Sequence, residues 1–342
     1  MAVVAVGLVA AAAGPAVLGG APSAAATKAP RPTTTTAAPT TTAPTTTLPP
    51  TTTTVPVAPV PPPPVPGGTI AWTPRGRSVL GRPLLYTGSN GAAFVAWMDP
   101  QLARPVVVPG AGDPGGPWPW GGQVAAESQP FLLAAFNGGF KWGDFNGGVI
   151  AFGTAFRSLV PGVASLIVYG DGTFTVGSWG RDNDPDKQVV AARQNLQLLV
   201  DGGQPTPASG NVGLWGASVA GAATMRSAVG VDANGALLWA GGRVTPADLA
   251  NAIVASGGVR AMEMDINPDW VNFNRYDVGT DNVAHGVPVY GATGADRYLS
   301  PNGRDFIVVL IRGTVVPGAT AQVGAAALNT EIDTAVAVTK RK

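Results

Sequence analysis

From about Gly68 onward the chain is a succession of short apolar runs, rich in Val, Ile, Leu and Phe, that stop at glycine-bearing turns. Runs of this kind suit strands and are too short for long helices. Two turns are explicit. Residues 165–169 and 173–176 flank Gly170-Asp171-Gly172, and residues 227–232 and 236–240 flank Ala233-Asn234-Gly235. Asp-Gly and Asn-Gly supply the positive φ values that tight hairpins need. Residues 91–98, 104–108, 131–136, 259–266 and 306–311 read as further strands, and 110–122 as a Gly/Pro/Trp-rich loop. One helix stands out, with Thr245 as N-cap, Pro246 in the first turn, Asp248 near the positive end of the dipole, and a stripe of Leu249, Ala252 and Ile253 before Gly257-Gly258. The expected fold is α+β, a β-rich single domain with few helices.

The front of the chain has a different composition. Residues 1–26 are an Ala/Val/Leu-rich run ending Ser23-Ala24-Ala25-Ala26, which reads as a signal peptide or, lacking an early Lys or Arg, as an anchor. Residues 27–67 are Thr/Pro low complexity and read as an extended disordered stalk with candidate O-glycosylation sites. The folded domain is therefore expected over 68–342, secreted or held at the cell surface through that stalk. The net charge of +1, with 12% charged residues, excludes a nucleic-acid face and favours a small or sugar-like partner. With no cysteine, the fold needs its own apolar core, and thiolate metal sites are excluded. His285 is the single histidine, so no multi-histidine metal site is expected, and no cofactor is expected either. Asp182-Asn183-Asp184-Pro185-Asp186 lacks the spacing of a calcium loop and reads as a solvated turn.

Four places combine a strand end, a permissive backbone and a charge-binding side chain: Asn137-Gly138-Gly139-Phe140-Lys141, Asp201-Gly202-Gly203, Arg226-Ser227-Ala228-Val229-Gly230, and Glu263-Met264-Asp265-Ile266-Asn267. Glycines at 138 and 139 would let the backbone approach a ligand, and Arg226 could fork onto a phosphate or carboxylate. Strand alternation puts Glu263 and Asp265 on one face, about 6.6 Å apart at the backbone. Such a pair could divide the roles of acid and of nucleophile or base, and mutual repulsion would raise one pKa; the alternative is that Glu263 pairs with an arginine as a buried structural ion pair. Asn267, Asp269, Trp270 and Arg275 follow in what reads as a polar loop, where Arg275 could bind phosphate and Trp270 could stack on a sugar ring.

In this order the four segments resemble the phosphodiester glycosidase family, over roughly residues 131–310. The resemblance implies an α+β fold and removal of a sugar from a phosphodiester-linked partner, with Asn137, Arg226 and Asp265 at matching positions. Glu263 stands where the family has Asn, and Asn267-Pro268-Asp269-Trp270 where it has Gly-Gly-Gly-Ser. The expected activity is hydrolysis of a sugar phosphodiester in an envelope or extracellular glycan, with Asp265 and Glu263 catalytic. The alternatives are a glycan-binding domain without catalysis and a structural envelope protein that keeps the fold.

Overall fold

The computed structural model describes residues 64–79, 81–216, 223–291 and 294–312. The expected leader and nearly all of the expected stalk lie outside the described residues. Three antiparallel sheets are built from the body. The largest has eight strands in the spatial order Thr73–Val79, Arg82–Ser89, Phe94–Met98, Leu237–Val244, Thr224–Asp232, Gly258–Glu263, Leu198–Asp201 and Gln204–Pro205. A second runs Thr154–Arg157, Val149–Ala151, Val189–Gln194, Ala164–Tyr169 and Phe174–Ser178. The third runs Ala284–Tyr290, Phe273–Val278, Leu132–Asn137, Phe306–Ile311 and Ala103–Val108.

One apolar cluster draws residues from all three sheets, including Met98, Trp239 and Met262 from the first, Leu166 and Val176 from the second, and Phe136, Phe273 and Ile307 from the third. Strands buried on both faces explain why several read as continuous apolar runs, as in Phe306–Ile311, buried throughout. The other face of the large sheet is covered by the helix Pro246–Ala255, whose Leu249 and Ile253 are fully buried with Trp97, Leu238 and Ala261. Each such side chain contributes about 1.5–3 kcal/mol relative to exposure. The helix begins in a capping box: Thr245 Oγ1 accepts from Asp248 N–H at 3.0 Å, and Asp248 Oδ2 accepts from Thr245 N–H at 3.2 Å. It is the one α-helix among the described residues, so the domain is β-rich with few helices. No described helix is long and apolar enough to cross a membrane.

Both Gly-containing hairpins form, pairing Ala164–Tyr169 with Phe174–Ser178 and Thr224–Asp232 with Leu237–Val244. Two readings are corrected. The strand expected over 259–266 ends at Glu263, because Asp265 turns its carboxylate back onto the chain and accepts from Asn267 N–H at 2.8 Å. The polar segment after it is not a loop throughout: Phe273–Val278 is a strand paired with Leu132–Asn137 and Ala284–Tyr290. Its buried Asn274, which donates to Asn272 Oδ1 at 3.2 Å, hid the pattern of a core-facing strand.

Candidate active site

Three strand ends meet here: Glu263 ends one strand of the large sheet and Asp265 follows it, Arg226 and Ser227 lie on its neighbour, and Asn137-Gly138-Gly139 leaves the third sheet. Ser227 joins them. Its N–H donates to the Asp265 carbonyl at 3.0 Å, and its hydroxyl accepts from Asn137 Nδ2 at 2.8 Å. Asn137 Oδ1 accepts from Asn272 N–H at 3.3 Å, which ties in the far end of the polar turn. Asn137 is therefore a buried connector, 3% exposed, whose amide is occupied by protein groups.

Asp265 lines an open cleft of about 330 Å³ together with Phe140, Lys141, Asp144, Gly216, Ile266, Asn267 and Arg304. Its Oδ2 accepts from Arg304 Nη2 at 3.0 Å, and the same nitrogen donates to the Gly139 carbonyl at 2.8 Å. On its inner side Asp265 meets Asn137, Gly138, Trp270, Tyr298 and Asp305 in packing that leaves no room for a water molecule. Trp270 closes that inner side, with Arg304 5.3 Å and Arg297 4.4 Å from its ring. The cleft itself stays open. Burial raises the Asp265 pKa, against the Asn267 N–H and the Arg304 cation that favour the ionised form.

Glu263 does not reach the cleft. It is fully buried and accepts from Arg226 Nη1 at 2.5 Å, while that nitrogen also donates to the Trp215 carbonyl at 3.0 Å. Arg226 is equally buried, so the structure sets it inside the wall and not at the cleft surface. Burial pushes the Glu263 carboxyl up to about 8, with Asp265 adding to the rise and Arg226 opposing it. A carboxyl raised from 4.5 holds an extra proton in the folded state, so its stabilising contribution is full below pH 4.5 and falls as pH rises towards 8. The Tm of Glu263→Gln is therefore expected to gain on that of the wild type across this window; a pH-independent difference would contradict it.

Gly138 and Gly139 make room for protein. A Cβ at Gly138 would stand 2.5 Å from the Asp305 backbone oxygen, and one at Gly139 would stand 2.8 Å from the Arg193 guanidinium carbon. Gly138→Ala is expected to cost on the order of 1–3 kcal/mol in a denaturant titration, because the clash is with the Asp305 carboxylate, which Arg193 holds in place, as well as with the Asp305 backbone oxygen. Asn267 lines the cleft and accepts from Asp269 N–H at 2.9 Å, while Asp269 is exposed outside it. Arg275 pairs with Asp277 on its own strand, away from the cleft-lining residues. His285 is exposed on the strand Ala284–Tyr290. Asp182 and Asp184 accept from local backbone N–H groups, Ser178 at 2.7 Å and Asp186 at 3.0 Å, and Asp182 also pairs with Arg181 at 2.7 Å.

Arg304, Asp305, Arg193 and Asn195 escaped the sequence reading. Arg193 Nε donates to Asp305 Oδ2 at 2.8 Å, and Asn195 Nδ2 donates to the carbonyls of Glu263 and Met264 at 2.8 and 2.9 Å. For Arg304 and Asp305 the available signal was a charged pair behind Asn302-Gly303, immediately before an apolar strand.

No protein-family model matches the chain, and no curated protein matches it. Among solved structures, it is similar to the catalytic domain of zebrafish N-acetylglucosamine-1-phosphodiester alpha-N-acetylglucosaminidase, auto-inhibited by its pro-peptide. That likeness has 15% identity, covers 71% of this chain and 88% of that one, and has a TM-score of 0.43. A hypothetical protein from Synechocystis is similar at 12% identity, over 72% of this chain and 68% of that one, with a TM-score of 0.35. Both are distant likenesses.

Proposed function

We propose that the protein is a hydrolase that removes a sugar from a phosphodiester, with Asp265 as the general base. The observation that carries this reading is the pairing of a carboxylate with two cations, Arg304 and Lys141, around one open cleft. A sugar 1-phosphodiester needs both. Lys141 and the outward side of Arg304 hold the phosphate and stabilise the charge that gathers on it. Asp265 takes a proton from a water molecule whose oxygen attacks the anomeric carbon. The bond from that carbon to the phosphate oxygen breaks with its electrons passing to the phosphate, leaving a free sugar and a phosphomonoester. Asp144, also in the cleft, offers a second carboxylate for the sugar hydroxyls.

A base must be ionised, so the rate falls as pH drops through the Asp265 pKa, and burial places that fall above the usual aspartate range. Glu263 takes no direct part because its carboxylate does not line the cleft. The test is a screen of the full chain against sugar 1-phosphodiesters and cell-envelope fragments, read as free sugar released. Release that persists undiminished in Asp265→Asn would sink the assignment.

A binding role without turnover draws on a separate observation. Both Asp265 oxygens already accept protein hydrogen bonds, one from Asn267 and one from Arg304. On that reading sugar phosphates bind saturably and stay intact. Either role fits an exported protein displayed on a Thr/Pro-rich stalk, for which deletion of residues 27–66 is expected to abolish envelope association while leaving cleft chemistry unchanged.

A further inference from the structure

We infer that Arg226 and Glu263 form a strut that sets the cleft wall at Trp215 and Gly216, which makes Arg226 a positioning residue and not an anion receptor. One guanidinium nitrogen, Nη1, serves both ends: it donates to Glu263 Oε1 and to the Trp215 carbonyl. Glu263 closes the strand that leads to Asp265, and Trp215 precedes a cleft residue, Gly216. The strut therefore runs from the end of the strand that leads to the proposed base to the segment that brings Gly216 to the cleft.

The wall has little freedom at that point. Gly216 has a φ of 74°, and a Cβ there would stand 2.6 Å from Phe140 Cζ and 3.3 Å from Ile266 Cδ1, both on cleft-lining residues. Trp215 is fully buried, its indole N–H donating to the Ala208 carbonyl at 2.8 Å. A shift of the Trp215 carbonyl would move Gly216 along the Phe140 ring and change the width of the cleft. Packing alone does not explain the pair. Apolar residues of similar volume often replace a buried ion pair with no loss of stability, and here Arg226 Nε, Arg226 Nη2 and Glu263 Oε2 lack hydrogen-bond partners. What an apolar pair cannot do is hold a carbonyl.

The strut rests on the cleft being the binding site, but its test does not require turnover. In the full chain, hydrogen exchange is measured at the amides of Leu214 and Trp215, which donate to the carbonyls of Asn211 and Val212 at 3.1 Å each. The double variant Arg226→Met/Glu263→Leu is expected to exchange roughly tenfold faster at these two amides, the effect of one lost buried hydrogen bond. Protection in the strands Thr224–Asp232 and Gly258–Glu263 should persist. Glu263→Gln keeps an acceptor for Arg226 and should keep wild-type protection. Arg226→Lys is one atom shorter, so its ammonium falls short of the position from which Nη1 meets both partners, and it should lose protection at Leu214 and Trp215. Calorimetry with glucose 1-phosphate should show weaker binding by the double variant, again roughly tenfold. Wild-type exchange in both the double variant and Arg226→Lys would overturn the strut. Failure of the wild type to bind the sugar phosphate would instead count against the proposed function, leaving the exchange result to stand by itself.

Discussion

Replacing Asp265 with asparagine is expected to lower sugar release from a phosphodiester by about 10²–10⁴-fold, the usual contribution of a positioned general base. Asparagine keeps an oxygen for the Asn267 N–H but cannot take up the proton of the attacking water. It also removes the charge that holds Arg304 Nη2 at 3.0 Å. Asp265→Asn leaves the buried Arg304 with Asp113, 3.7 Å away, as its remaining carboxylate, so the variant should melt somewhat below the wild type at neutral pH yet still be folded at assay temperature. The loss is thus separable from unfolding by circular dichroism on the same sample. Asp144→Asn, a change at another cleft-lining carboxylate, should act mainly on KM.

The largest effect on stability is expected from Arg193→Met. Arg193 is fully buried, pairs with Asp305 at 2.8 Å, donates to the Phe140 carbonyl at 2.6 Å, and lies 3.8 Å from the Trp142 ring centroid. It links the second sheet, through the strand Val189–Gln194, to the start of Phe306–Ile311 in the third. Methionine fills much of the volume but leaves the 2%-exposed Asp305 unbalanced. Stranding one member of a buried pair costs about 3–5 kcal/mol. For a domain of this size that corresponds to a fall in Tm of roughly 10 °C. Calorimetric melting checks it, and the double variant Arg193→Met/Asp305→Leu should recover most of the loss. A single variant that melts with the wild type would show that the sheets are joined by the shared apolar core alone.

The β-rich body, its hairpins and its capped helix were legible because each rests on local chemistry. Gly172 and Gly235 adopt the positive φ their hairpins need, and Thr245 and Asp248 complete the helix cap. The strand Phe273–Val278 was not legible, since its buried Asn274 is satisfied by Asn272, a partner that composition does not reveal. The site shows the same division. Asn137, Arg226, Glu263 and Asp265 do gather where strand ends meet, but periodicity assigns a face of a strand and not depth. Glu263 and Asp265 looked equivalent, yet the chain turns after Glu263, leaving one carboxylate paired inside and the other at the cleft. Arg304 arrives from 39 residues further along the chain, a distance over which pattern reading carries no contact information.

The most direct test follows the phosphorus signal of a sugar 1-phosphodiester incubated with the purified full chain. The expected result is loss of the diester with stoichiometric appearance of a phosphomonoester on the partner and of free sugar, abolished by Asp265→Asn. Saturable binding with the diester intact, or cleavage that leaves the phosphate on the sugar, would contradict it.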